Sequence, residues 1–316
     1  MPDIPRPLPN AQAAVTGGYA ATIWRWWGDD TDGASDLELR VCHDTCADGA
    51  NTTVIDTIPF SSDRMGVTST VAPVGDGLLV AAIDTPTRDS MDPPTEPLGL
   101  LAYHCADLEC AAPERVRLPD LPMADENVSP YLYQLHLGVV NDGAYSVLFH
   151  DLESGTTSLA TCPDVECAAP VARELPELHG ARVAVRPDGT PAITHVTGEG
   201  AVHLLDCQDA GCAEWETKEI GIGHEEDPGL TVDSLGRPQV AFSGADGDTL
   251  VYVACADTAC SEWETTVPFH HGDVAQPYRR DDWRVTRVSL DADDRPTLVL
   301  GHDVVRCVEP HCGLRP

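Results

Sequence analysis

The sequence predicts an all-β fold, a six-bladed β-propeller in which each blade is a four-stranded antiparallel sheet. Three observations predict it. Six closely spaced cysteine pairs recur along the 316 residues, turn signals flanked by alternating apolar residues precede them, and no segment shows a helical period. Each repeat is therefore expected to contain strand A, a tight turn, strand B, a longer loop, strand C, the cysteine turn and strand D.

The cysteine pairs mark the turn between strands C and D. They are Cys42–Cys46, Cys105–Cys110, Cys162–Cys167, Cys207–Cys212, Cys255–Cys260 and Cys307–Cys312. Opposed positions on two antiparallel strands supply the Cα separation of about 4.4–6.8 Å that a disulfide needs, so we expect one disulfide in each turn. A shared zinc site is not expected, because the six turns belong to the outer rims of different blades.

A second signature, the turn between strands A and B, lies upstream of each pair. The stretch 183–195, with Gly189 in its turn, matches 230–242 and 288–300, and looser copies centre on Gly18, Gly77 and Gly143. Aligned positions before this turn are small (Ala72, Gly138, Ala184, Thr231 and Ser289), which predicts close packing of the inner strands around the axis.

The repeats define a single domain over residues 1–316. They span approximately 10–58, 65–122, 131–178, 180–222, 227–268 and 284–316, and the last is completed by residues 1–9. Only four residues follow Cys312, which is too few for an outer strand. We expect the N-terminal segment to pair with the last blade instead and so to close the ring without a free sheet edge.

The pattern of an Asp-x-x-Gly-x-Pro turn, a short strand and Cys-x-Asp-x-x-Cys with a nearby Trp resembles a group of bacterial secreted β-propeller repeat proteins. The resemblance is clearest over residues 181–265. It implies a propeller in an exported or envelope location, and it implies no defined activity. The sialidase Asp box (Ser-x-Asp-x-Gly-x-x-Trp) is absent from the sequence, which argues against a sialidase.

The charge and the cysteine content restrict the partners. The formal net charge is −33, with 52 acidic residues against 19 basic ones, and such a surface repels nucleic acid and anionic membranes. No apolar run approaches membrane-spanning length, so no membrane insertion is expected. We expect a monomer that is extracellular, periplasmic or held at the cell envelope after removal of an export signal.

A ligand site is expected on the face formed by the D–A and B–C loops, around the central channel. Three long loops belong to this face, at 24–36, 84–99 and 268–284. Near the mouth of the channel the alignment places Arg25, Arg182 and Arg287, three of the few cations in the chain. An inward-facing arginine cluster suits a carboxylate, a phosphate or an acidic sugar, and the alternative is that each arginine pairs with an acid between blades.

Histidines and aromatic residues supply further candidates on the same face. His136, His150, His195 and His302 are candidate ligands of a transition metal, although His195 occupies a slot that other repeats fill with apolar residues. The stretch 28–33 resembles part of a calcium loop. Trp26, Trp27, Tyr278 and Trp283 are candidates for a platform that binds a sugar or a peptide.

The leading functional prediction is a non-catalytic recognition propeller that binds a glycan or a protein on the loop-rich face and needs no cofactor. One alternative is an enzyme at the channel mouth. It is either metal-dependent or a lyase or hydrolase that uses arginine and carboxylate groups, with His136, His150, Arg182 and Asp84 as candidates. A purely structural module is the other alternative. No motif for nucleophilic catalysis is present in the sequence.

Overall fold

The fold is taken from a computed structural model. It describes residues 13–16, 19–27, 34–43, 51–59, 69–84, 99–118, 133–140, 143–151, 155–224, 228–247, 249–270, 286–300, 303–310 and 312. Every regular element in these ranges is a β-strand, in agreement with the absence of a helical period. Within the same ranges, no helix has the length and apolar character that crossing a membrane requires.

The strands form consecutive antiparallel sheets, which we name blades 1 to 5 and the sixth sheet. Blade 1 holds β1 (Ala13–Thr16), β2 (Tyr19–Trp27), β3 (Ala34–His43) and β4 (Asn51–Pro59). Blade 2 holds β5 (Ser69–Val74), β6 (Gly77–Asp84), β7 (Gly99–Cys105) and β8 (Glu114–Arg117). Blade 3 holds β9 (Tyr133–Val139), β10 (Tyr145–Asp151), β11 (Thr157–Cys162) and β12 (Val171–Leu175).

The second half of the chain repeats the pattern. Blade 4 holds β13 (His179–Val185), β14 (Pro191–Val196), β15 (Ala201–Cys207) and β16 (Trp215–Ile222). Blade 5 holds β17 (Gly229–Val232), β18 (Pro238–Ser243), β19 (Thr249–Cys255) and β20 (Trp263–His270). The sixth sheet holds β21 (Thr286–Leu290), β22 (Pro296–Leu300) and β23 (Asp303–Arg306).

The prediction of a four-stranded propeller is confirmed for five blades, and the prediction of six such blades is not. The sixth repeat forms a sheet of three strands among the described residues. The chain has four residues after Cys312, and these residues and the N-terminal segment 1–9 lie outside the described part of the structure. The predicted pairing of that segment with the last blade therefore stays a prediction.

The first strand of each sheet contacts the first strand of the next, from β1 through β5, β9, β13 and β17 to β21. These strands are therefore the innermost ones. Their close approach is visible where Gly138 of β9 meets β13, since a Cβ atom at Gly138 would lie 3.0 Å from the Cα of Ala184. The prediction that small residues allow tight packing around the axis is confirmed at this contact.

Apolar alternation builds the core between neighbouring blades. Because successive side chains on a strand point to opposite faces, each blade contributes one apolar face to the blade before it and one to the blade after it. Between blades 3 and 4 this gives a layer in which Leu148 and Leu159 pack against Val183, Ile193 and Leu205. We call this interface the blade 3–blade 4 seam.

The cysteine turns hold disulfides at Cys105–Cys110, Cys162–Cys167, Cys207–Cys212, Cys255–Cys260 and Cys307–Cys312. Five of the six predicted pairs are thus confirmed, and Cys46 of the remaining pair lies outside the described residues. The second cysteine of each turn has a positive φ of 48–51°. Asp257 shapes its turn from within: its carbonyl accepts the N–H of Cys260 and its carboxylate accepts the N–H of Ser261.

Candidate functional site

A buried histidine–arginine contact joins the inner strands of blades 3 and 4. His136 and Arg182 each lie three residues before the end of their strand, β9 and β13. Arg182 Nη1 lies 3.0 Å from His136 Nε2 and also contacts Nδ1 of the same ring. The side chains are deeply buried, at 4% and 7% exposure. The two residues that the sequence placed in one ring are therefore brought together.

The described charges that shift the pKa of His136 are positive. Burial lowers the pKa of His136 well below its ordinary value, and the neighbouring charges of Arg182, Arg287 and His150 lower it further. His136 is therefore neutral, and an imidazole nitrogen can accept the hydrogen bond that the guanidinium of Arg182 donates. His136 thus orients Arg182 and contributes no negative charge to the contact.

Arg287 is the third residue that we assign to this centre. It lies three residues before the end of β21, the position that His136 and Arg182 occupy in their own strands. Blades 4 and 5 separate the sixth sheet from blade 3 along the contacting inner strands. The charge of Arg287 nevertheless contributes to the lowered pKa of His136. Arg287 Nη1 donates to the carbonyl of Thr286, 3.0 Å away. We call His136, Arg182 and Arg287 the channel cluster.

His150 connects the channel cluster to the seam. Its Nδ1 lies 2.8 Å from the hydroxyl of Thr157, and that hydroxyl also accepts the backbone N–H of Leu178 at 3.2 Å. The imidazole of His150 makes an edge contact with that of His179, with ring centroids 6.0 Å apart. A single threonine thus joins β10 of blade 3 to the segment that enters blade 4.

A second pair of histidines lies across blade 4. His195 and His203 face each other on β14 and β15, with ring centroids 5.1 Å apart. Burial lowers the pKa of His195 to about 4, and the nearby His203 and His179 contribute to the shift. The outer members of the histidine row have acidic neighbours. His179 Nε2 is 3.0 Å from Glu177 Oε1, and His203 Nε2 is 3.9 Å from Glu219 Oε2.

Several predicted site residues cannot be placed. Arg25, Trp26 and Trp27 belong to β2 and Asp84 ends β6, but their side chains are outside the described part of the structure. Tyr278, Trp283, His302 and most of the three long loops lie outside it entirely. The aromatic platform and the role of Asp84 therefore stay predictions.

The metal hypothesis gains no support from the described residues, which contain no group of three or more His, Cys, Asp or Glu side chains that could hold an ion. His136, His150 and His195 are spread along the row of contacts instead of converging on one point. The stretch 28–33, for which a calcium loop was considered, lies outside the described residues.

The sequence did not single out His203, Thr157 or Glu177 as part of this region. The pairing of His203 with His195 could have been found, because the register of strands B and C places them directly opposite each other. The contact of His150 with His179 joins two blades, and no repeat alignment reports which side chains meet between repeats.

A cavity of about 280 Å³ lies at the other end of the blades, where turns of blades 3 and 4 meet. Its lining is mainly apolar and includes Val171, Pro163 and Pro187. It contains no member of the channel cluster and no histidine of the seam.

Comparisons with known proteins agree with the architecture. No protein-family model matches the sequence, and no curated protein matches it either. Among solved structures, the Trypanosoma rangeli sialidase in complex with 2,3-difluorosialic acid is 12% identical with a TM-score of 0.50, covering 95% of this chain. An exo-β-1,3-galactanase from Clostridium thermocellum is 11% identical with a TM-score of 0.44, covering 93% of this chain and 72% of its own.

The chain spans about half of the length of the sialidase that it matches, 52% of that protein. At this level of identity the similarity establishes the fold alone. The chain is an all-β propeller protein with disulfide-closed repeats.

Proposed function

We propose that this protein is a secreted or envelope-associated recognition propeller that binds a glycan carrying carboxylate or sulfate groups at the mouth of its central channel. The observation that carries the proposal is the contact of Arg182 with the neutral His136, with Arg287 acting on the same ring. Arginine guanidinium groups recognise carboxylate, sulfate and phosphate oxygens through paired N–H donors.

The electrostatics of the chain support a narrow, specific site. A surface with net charge −33 repels anions in general, so binding requires a local region of opposite sign. We infer that Arg182, which is 7% exposed, and Arg287 supply this region, and the burial of Arg182 strengthens its electrostatic interactions. A polymer that displays spaced anionic groups and sugar rings suits both this centre and the predicted aromatic platform of Trp26, Trp27, Tyr278 and Trp283.

The setting of the protein is also part of the proposal. Five described disulfides favour an oxidising compartment, outside the cytosol. We infer six blades in the complete ring, with the segment 1–9 as the outer strand of the last one, and a monomeric protein. The solved sialidase with the same fold holds a sugar derivative, which is consistent with a glycan as the ligand.

The proposal is tested by calorimetric titration with three tetrasaccharides: a galacturonate oligomer, a chondroitin sulfate oligomer and neutral cellotetraose. We expect binding of an acidic oligomer and none of cellotetraose. The variant Arg182→Gln should weaken binding at least tenfold. The affinity of Arg182→Lys should lie between those of wild type and Arg182→Gln, because lysine keeps the positive charge and lacks the planar guanidinium group. Arg295→Gln, which removes an exposed ion pair with Asp291, is the matched control. Equal binding by wild type and Arg182→Gln, with near-UV circular dichroism unchanged, would refute the proposal.

An eliminating lyase is the second candidate, favoured by the neutral imidazole of His136 beside a guanidinium. In that reaction Arg182 would neutralise a uronate carboxylate and His136 would take the proton from C5. The C4–O bond would then break, the C4=C5 double bond would form, and the departing oxygen would gain a proton. Ultraviolet absorbance of the unsaturated product, lost in His136→Gln, would establish the lyase. Acidic oligomers that bind and are recovered intact would exclude it.

A further inference from the structure

The histidines of the blade 3–blade 4 seam lie in the same interface as the contact between His136 and Arg182. His136 belongs to blade 3 and Arg182 to blade 4, so their contact spans this seam. Anything that separates the two blades also separates these two residues. The proposal that the seam controls ligand binding rests on the proposed function. The proposal that the seam opens on acidification does not.

Four histidines face this seam. His150 follows Leu148 by two residues on β10, and His195 follows Ile193 by two on β14, so each shares the face of an apolar residue that packs in the seam. His203 pairs directly with His195 and precedes Leu205 of the same layer. His179 contacts the ring of His150 from the start of β13.

The groups facing these histidines make the seam sensitive to acid. His150 and His195 are buried, at 1% and 9% exposure. Glu177 and Glu219 lie beside the outer members, His179 and His203. Burial lowers the pKa of His195 to about 4, so a proton on this ring is disfavoured while the seam is closed. Arg182, Arg287 and His136 bound the row on the channel side, and Thr157 holds His150.

We propose that this row of histidines is a proton-sensitive latch: acidification opens the blade 3–blade 4 seam and releases an anionic glycan from the channel cluster. In the closed state His195 is neutral and buried. In the opened state it gains a proton, so a falling pH favours opening.

The repeat supplies a matched substitution. Phe149 and Phe242 are the equivalents of His195 in blades 3 and 5, and both are buried in the apolar layers of their own interfaces. His195→Phe should therefore keep the packing and remove the proton acceptor. Phe242→His is the reciprocal change, and it should transfer acid sensitivity to the interface of blades 4 and 5.

The first test is hydrogen exchange by mass spectrometry on the protein without ligand, at about pH 7.5 and about pH 4.5, corrected for the intrinsic exchange rate. Burial lowers the pKa of His195 to about 4 in the closed state. The equilibrium constant for opening, measured at the seam strands β9 and β13, should therefore rise on the order of 50- to 100-fold between the two pH values. In His195→Phe most of this rise should disappear, and in Phe242→His a new one should arise at β18. Equal protection of β9 and β13 at both pH values, or identical behaviour of wild type and His195→Phe, would overturn the latch.

The second test measures binding of the chondroitin sulfate tetrasaccharide over the same range. We expect wild type to lose affinity on acidification at least tenfold more than His195→Phe does. If no acidic oligomer binds at about pH 7.5, the proposed function fails while the exchange result still decides whether the seam opens. If binding occurs and its pH dependence is the same in both proteins, control of the site by the seam is refuted.

Discussion

Arg186 and Asp206 form a buried ion pair within blade 4, with side chains only 4% and 5% exposed, and the same guanidinium reaches blade 5. Arg186 Nη2 donates to the carbonyl of Thr258, 3.0 Å away, inside the cysteine turn of the next blade. Nη1 donates to the hydroxyl of Thr190 and the carbonyl of Pro191. One arginine therefore fixes its own A–B turn, the C strand and the neighbouring blade.

Replacing Asp206 by Asn should lower the free energy of unfolding by about 3–5 kcal/mol, because a buried guanidinium loses its counter-charge. Chemical denaturation followed by tryptophan fluorescence measures the change. Arg295→Gln breaks the exposed ion pair with Asp291. We expect it to lower the free energy of unfolding by less than about 1 kcal/mol. Equal losses from the two variants would contradict the view that the buried pair joins blades 4 and 5.

Removing the disulfide Cys207–Cys212 should cost about 2 kcal/mol, the chain-entropy value for so short a loop. The choice of replacement matters, because Cys212 has a φ of 50° and an alanine there would carry the strain of the left-handed region. We expect Cys207→Ala with Cys212→Gly to be about 1 kcal/mol more stable than Cys207→Ala with Cys212→Ala. Thermal unfolding of the two double variants compares them directly, and equal midpoints would contradict the argument.

Local spacing was sufficient to predict the blades, because a cysteine turn and an A–B turn are each encoded within a few consecutive residues. Asp209 and Cys212 illustrate this, since the backbone geometry of their turn follows from residues three positions apart. A sixth four-stranded blade is not confirmed, since the sixth sheet has three strands among the described residues and the segment expected to complete it lies outside them.

The candidate site was predictable only in part. The repeat alignment placed His136, Arg182 and Arg287 at one level, because equivalent positions recur around an axis. It could not show that His136 stays neutral, which depends on burial and on the neighbouring charges of Arg182 and Arg287. Nor could it predict the His150–His179 contact, because these two side chains do not occupy equivalent repeat positions.

Replacing Gly138 by Ala should destabilise the protein by about 1–3 kcal/mol, since the added Cβ would lie 3.0 Å from Ala184 Cα and Val183 O, both backbone atoms. The inner strands β9 and β13 would have to separate, which should also weaken binding of an acidic oligomer. Gly198→Ala is the control, because a Cβ there meets nothing within 4 Å. Urea denaturation should show a lower free energy of unfolding for Gly138→Ala and an unchanged one for Gly198→Ala. Comparable decreases in both variants would contradict close packing at the axis.

Asp209 gives the cysteine turn of blade 4 a dependence on pH. Its carboxylate accepts the N–H groups of Gly211, Ala213 and Glu214, and these bonds, that from Ala213 first, hold the pKa of Asp209 below its ordinary value. The folded state thus favours the ionised form, and its stabilisation is present above the unfolded pKa of about 4 and lost as the pH falls through the folded value.

The variant Asp209→Ala should therefore be less stable than wild type at neutral pH, and the difference should shrink as the pH falls below about 4. Asp209→Asn keeps one acceptor oxygen, so it should lose less stability than Asp209→Ala does. Denaturant titrations at several pH values measure the gap, with Glu214→Gln as the control, since the side chain of Glu214 is exposed and its backbone N–H is unchanged. If the difference in free energy of unfolding between wild type and Asp209→Ala stays constant down to about pH 3, the side chain of Asp209 contributes through its hydrogen-bond geometry alone. Its charge would then play no part in holding the turn.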